Sequence, residues 1–272
     1  MNLEHTEITI RERNYLELMD LALQLLRFHW WSLLVTLAVI AIPLSLANFW
    51  IISGILDPDN LRDTPNSQIW LLVLLMLWEA PLGTALMTLY LGQITFTRTV
   101  DWNRLCQDYL GSLLQLLWFQ GILRSLTACL LLVGLFIPHL AWPYLTEVIL
   151  LERNHFFPHP GKQITTWRRS RNLHRHFAGD LFTRWLSTMV TACILVTAIL
   201  LGIYTTAFGL FGILLTPSTI VQWYAPLAIW IVIGFFAVVR FLAYLDLRIR
   251  REGWEVELLM RSEAARLRRM AV

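Results

Sequence analysis

Charge is scarce in this chain of 272 residues: Asp, Glu, Lys and Arg together make up 15%. Soluble domains carry about a quarter, so a soluble enzyme and a disordered chain are both excluded. Lysine is nearly missing, with Lys162 alone beside 21 arginines. The net charge of +3 is too small to argue for nucleic acid. Cysteine is also sparse: Cys106, Cys129 and Cys193 lie far apart, without metal-ligand spacing or a disulfide framework. Absent too are a Ser-His-Asp order, a Walker loop, a GxGxxG turn and an HExxH helix. The expectation is therefore a protein without cofactor, metal or enzymatic activity.

What the chain does have is long apolar runs. Hydrophobic residues reach 57% and the mean hydropathy is +0.56. A bilayer core takes about 20 apolar residues in a helix. Runs over 30–56, 69–96, 113–137, 181–207 and 225–247 meet that length, and 138–152 is a shorter sixth. Basic residues decide whether the short run crosses. They gather at Arg11, Arg13 and Arg27, at Arg98 and Arg104, from Arg153 to Arg184, and from Arg248 to Arg269. The positive-inside rule puts all four groups in the cytoplasm. The alternation closes only if 138–152 spans. The fold class is thus all-α, a polytopic membrane protein of six transmembrane helices with both termini cytoplasmic. Residues 1–29 form a cytoplasmic amphipathic segment, 30–250 the membrane domain and 251–272 a basic tail. Glu4, Glu7 and Glu12 make the wrong n-region for a secretory signal, so the first run is expected to remain as a helix.

Each outward-going helix is preceded by an amphipathic stretch, expected to lie in the headgroup plane. In the first, Arg13, Glu17, Asp20, Gln24 and Arg27 share one face and Leu16, Met19, Leu23 and Leu26 another. The second has the stripe Trp102, Leu105, Cys106, Tyr109, Leu110 and Leu113, and the third runs from Ile164 to Phe177. The third and fifth spans share a Thr-Ala-Cys step at Thr127–Cys129 and Thr191–Cys193. Three hairpin units and three ordinary lead-ins are both consistent with this pattern.

Ionisable groups at membrane depth are costly and point to function or to pairing. Glu79 lies inside the second span beside Pro81 and Gly83. It reads either as a ligand-responsive carboxylate in a cavity or as a buried Glu held by Arg124 or a hydroxyl. The proline frees a carbonyl and the glycine admits a neighbouring helix. Gln120, Arg124 and Glu147 complete the set of intramembrane polar candidates. Glu147 and Glu152 are expected to pair with loop arginines, and Asp246 with Arg250 along one helix. Arg168, Arg169, Arg171 and Arg175 form an inner-face cluster suited to anionic headgroups, at about 1 kcal/mol each. The histidines of 153–176 read as polar loop residues rather than a zinc site, because Pro158 and Pro160 keep His155 and His159 off one helix face.

Three stretches carry a resemblance. They are Pro143–Arg153 with Arg168-Arg169-Ser170-Arg171-Asn172-Leu173, the close Tyr244-Leu245-Asp246-Leu247-Arg248-Ile249-Arg250-Arg251-Glu252-Gly253, and Glu79–Ala85 with Leu89–Gln93. The first two resemble bacterial membrane proteins of the glycerophosphodiester phosphodiesterase membrane-domain type, with their "RSW-L" segment and "Y-x-D-x-R-x-R-x-E-G" ending. The third looks like a pattern in bacterial relatives. Arg171 stands where that family has tryptophan. The namesake's membrane domain precedes a catalytic barrel, whereas only residues 254–272 follow here. The resemblance implies a six-helix protein of the bacterial inner membrane without that catalytic domain.

Three functional classes follow. One is a non-catalytic scaffold or accessory subunit whose partners are membrane lipids and another membrane protein, with no nucleic acid. The runner-up is a small transporter or channel with Glu79, Gln120 and Arg124 on a polar path. The last is an enzyme acting on lipid headgroups through inner-loop carboxylates and histidines.

Overall fold

The computed structural model describes residues 14–55, 65–97, 100–122, 144–152, 165–174, 178–252 and 260. The described elements are helices, and no strand occurs among these residues. α1 spans Tyr15–Ile55 and α2 spans Pro65–Phe96. α3, Trp102–Leu116, runs on as a π-helix over Leu117–Ile122. The turn Leu145–Glu147 continues as the π-helix Val148–Glu152, together α4. α5 is Thr166–His174 and α6 is Ala178–Phe211. The turn Pro217–Thr219 and the π-helix Ile220–Tyr224 lead into α7, Ala225–Glu252.

Four helices are long and apolar enough to cross a membrane: Tyr15–Gly54, Ser67–Phe96, Phe182–Phe211 and Pro217–Arg248. They coincide with the expected first, second, fifth and sixth spans. In a bilayer the backbone must satisfy its own hydrogen bonds, which helices do. The expected third and fourth spans include 123–143, which lie outside the described residues.

Local chemistry sets the ends. Asp101 caps α3, its Oδ1 accepting the amides of Asn103 at 3.1 Å and Arg104 at 3.2 Å. Gly212 closes α6 in the left-handed region at φ 64°, a conformation that costs a glycine little. Thr216 caps the following turn with Pro217 at its first position.

The expected border between a lead-in and the first span is a kink inside one helix. His29 leaves helical geometry at φ −117° and ψ 23°. With no glycine or proline before Pro43, nothing there ends the helix. The lead-in buries Leu18, Ala22 and Leu25, while Leu16 and Leu23 of the expected stripe are exposed. The stripe was assigned by apolarity alone, and a helix with apolar residues on two sides puts only one against its neighbours. Of the second stripe, Leu105 is buried and Trp102, Cys106 and Leu110 are exposed. Pro81 does not break α2, which continues through it.

α1, α2 and α7 pack on one another and form the centre, with α4 against α2 and α3. Small residues allow the close approach. A Cβ at Gly92 would lie 2.7 Å from Leu151, and one at Gly234 would lie 2.7 Å from Leu37. Tyr144 to Leu150 are all buried, so the described part of the short fourth run is wrapped in protein. α6 leans on α7 from outside.

Candidate functional site

The sequence places Glu147 and Glu152 five residues apart, roughly 140° around a regular α-helix. They nevertheless serve one neighbour. The π-helix Val148–Glu152, with i→i+5 bonds, widens the turn and narrows the angle between the two carboxylates, and both reach α7. There Arg240 Nε donates to Glu147 Oε1 at 2.5 Å, and one turn later Tyr244 Oη donates to Glu152 Oε1 at 2.8 Å. Arg240 Nη2 also donates to Thr84 Oγ1 of α2 at 3.3 Å. One guanidinium thus joins α2, α4 and α7.

Two further ties extend the network. Arg169 of α5 forks onto Glu152, Nε to Oε2 at 2.6 Å and Nη2 to Oε1 at 3.0 Å. Arg184 Nη2 of α6 donates to Asp246 Oδ2 at 3.4 Å. The Tyr-x-Asp ending of α7 therefore has a mechanical reading. Tyr244 faces α4 and Asp246, two residues on, faces α6. Arg248 supplies positive charge near Glu152.

These partners correct several expectations. Asp246 accepts from Arg184 across the bundle; the side chain of Arg250, its expected partner along α7, lies outside the described residues. Glu147 pairs with Arg240, not a loop arginine, because α4 lies along α7. Arg169 is engaged by Glu152, with its side chain 21% exposed. Arg168 is exposed, while the side chain of Arg171 and all of Arg175 lie outside the described residues.

Glu79 is buried in α2 and accepts a hydrogen bond from Asn48 Nδ2 of α1 at 2.8 Å. Neither a hydroxyl nor Arg124 is shown as its partner, and Arg124 lies outside the described residues. One turn on, a Cβ at Gly83 would overlap the Trp230 ring of α7. Gln120 Nε2 donates to Thr146 Oγ1 at 3.1 Å, fixing the π segment after α3 to α4. Glu79, Gln120 and Glu147 thus each have a different partner, Asn48, Thr146 and Arg240.

The ties border a cavity of about 440 Å³ between α2, α6 and α7. Its walls are apolar, including Val73, Met76, Ala192, Val196, Ile233 and Phe236. Tyr15, Thr84, Tyr144, Arg184, Thr188 and Arg240 also line it, and the Tyr15 hydroxyl is hydrogen-bonded to Thr188. Neither Glu79 nor Gln120 is on its wall. A second cavity of about 370 Å³ lies beside α3 and α7, with Asp101, Arg104, Asp108 and Arg248 on its wall. No group of three metal-binding side chains occurs among the described residues.

Reading residues by charge missed Asn48, Thr84, Tyr144 and Thr188. Asn48 carried a usable signal, a carboxamide within a membrane-length apolar run. The threonines carried none, since hydroxyls often bond back to their own helix, as Thr84 does to the Ala80 carbonyl at 2.8 Å. Comparison with protein-family models, curated proteins and solved structures finds no match to this chain.

Proposed function

We propose that this chain is a non-catalytic scaffold or accessory subunit of the bacterial cytoplasmic membrane, crossing it six times with both termini inside. The observation that carries this reading is the use of its buried charge. Glu147, Glu152 and Asp246 each receive an arginine from a different element. Such pairs, flanked by buried apolar side chains, fix helices relative to one another. A carboxylate neutralised in this way is poorly placed to exchange protons with a substrate. The wrapped Tyr144–Leu150 segment supports the fourth crossing, since a helix enclosed by protein need not match the bilayer thickness. The bacterial assignment and the absence of a catalytic role rest on the motif resemblance.

The test is a mild-detergent pull-down from native membranes with proteins and lipids identified by mass spectrometry. A stoichiometric protein partner is expected. A monomer or homo-oligomer carrying lipid alone overturns the accessory role.

Transport is the second reading, favoured by the buried Glu79–Asn48 pair inside two membrane-length helices. In it Glu79 and Arg124 belong to a polar path. Solute uptake by liposomes containing the protein, lost in Glu79→Gln, would establish it. Uptake equal to that of empty liposomes rejects it.

A further inference from the structure

We propose that the cavity between α2, α6 and α7 binds one anionic phospholipid, with its phosphate at Arg184 and Arg240 and an acyl chain along α6. This site is distinct from the arginines of α5, and it does not require the accessory-subunit reading.

The volume of about 440 Å³ lies within the range of ligand sites, roughly 300–1,000 Å³. The wall is mostly hydrocarbon, which suits a chain rather than a hydrated solute. Its donors are the two guanidiniums, since the hydroxyls of Thr84 and Thr188 donate to the Ala80 and Arg184 carbonyls and that of Tyr15 is bonded to Thr188.

The ion pairs do not cancel this preference, because they are oriented. Arg240 is 23% exposed and its partner Glu147 is 0%; Arg184 is 10% exposed and Asp246 is 2%. Both arginines line the cavity, and neither carboxylate does. The positive end of each pair is therefore presented to the cavity and the negative end is sealed behind it. A guanidinium has five N–H donors. Arg240 directs one group to Glu147 and another to Thr84, which leaves donors for a phosphate oxygen.

The geometry also selects a lipid over free phosphate. The site lies between membrane-length helices, and the most apolar stretch of α6 has no buried residue. A lipid in the bilayer reaches this cleft beside α6, and its chain covers the apolar wall that a phosphate ion would leave bare. With the orientation proposed above, the lipid comes from the inner leaflet.

The experiment is native mass spectrometry of the full chain in detergent, titrated with phosphatidylglycerol, phosphatidylcholine and diacylglycerol of matched chains. Phosphatidylglycerol should bind at least ~10-fold more tightly than either, a difference of about 1.4 kcal/mol. Ala192→Trp, which fills the apolar wall, should abolish that preference. Glu147→Gln/Arg240→Gln replaces the pair by neutral amides and should weaken phosphatidylglycerol ~10-fold. Arg168→Gln, on α5, should leave the preference that Ala192→Trp removes unchanged. Equal retention of phosphatidylglycerol and diacylglycerol would overturn the site. So would an unchanged preference in Ala192→Trp, or a loss in Arg168→Gln matched by retention in the double variant.

Discussion

α6 and α7 are both long enough and apolar enough to cross a membrane, yet they are used in opposite ways. The most apolar stretch of α7 is 61% buried, and that of α6 is 0% buried. Hydropathy cannot separate them, because lipid and protein interior are similarly apolar environments. What differs is the rest of each sequence. α7 offers Gly234, Ala237 and Ala243 for close packing, then Arg240, Tyr244 and Asp246 for ties to α2, α4 and α6. Beyond Thr188, which meets Tyr15, α6 turns its hydroxyls on itself: Thr197 bonds back to the Cys193 carbonyl and Thr206 to that of Gly202, both exposed. Its described ion pair to the bundle is Arg184–Asp246.

This contrast can be broken most forcefully at Arg240. Arg240→Ala leaves Glu147 fully buried without its partner, and removing one member of such a pair costs about 3–5 kcal/mol. Thermal unfolding in detergent should show a large fall in Tm, and Glu147→Leu/Arg240→Met should recover most of it. An unchanged Tm in the single variant would mean that the pair does not hold α4 to α7.

Asp246→Asn should act next, costing about 1.5–3 kcal/mol through loss of the charge-assisted bond. Its signature is local. Hydrogen exchange should rise at the Arg184 end of α6 and stay unchanged in the α2–α7 contact. Uniform acceleration across all helices would show that α6 is not held separately.

Gly83→Ala sharpens the comparison from the packing side. The new methyl overlaps the Trp230 ring, and overpacking of this kind costs about 1–3 kcal/mol. At Gly202 of α6 a Cβ meets nothing within 4 Å. Gly202→Ala should therefore be neutral or stabilise by up to about 1 kcal/mol. Opposite signs of the two Tm shifts are expected, and equal losses would contradict the packing of α6 described here.

The smallest effect is expected for Ile194→Ala, at an exposed position of α6. Substitutions away from core contacts usually stay within about 0.5 kcal/mol. A larger loss would reveal that this face is covered in the native membrane, as an accessory subunit requires.

Much of this was legible in the residues. The four long helices could be placed from apolar length, and Glu147 and Glu152 could be singled out as carboxylates needing arginines. Glu152 does meet an arginine of the following basic segment, Arg169, but Arg240 as the partner of Glu147 could not be read. A regular helix puts the two carboxylates on different sides, and the π-helical turn that realigns them has no spacing rule to reveal it. The Asp246–Arg250 spacing suggests a local pair, but nothing in the spacing points to Arg184, distant in sequence, which also meets Asp246. Glu79 was recognisable as costly at membrane depth, while Asn48 on α1 became its partner only through helix packing.

The sequence by itself determined that the chain is helical, that its long apolar runs are membrane-length and that acidic residues sit among apolar ones. Composition and period suffice for that, because a bilayer demands local satisfaction of the backbone and apolar side chains over a fixed length. The tertiary structure decided which helix is central, which arginine meets which carboxylate, and where the cavity lies. Those outcomes depend on glycine contacts and on the rotation of each helix about its axis, and contacts between distant segments fix that rotation.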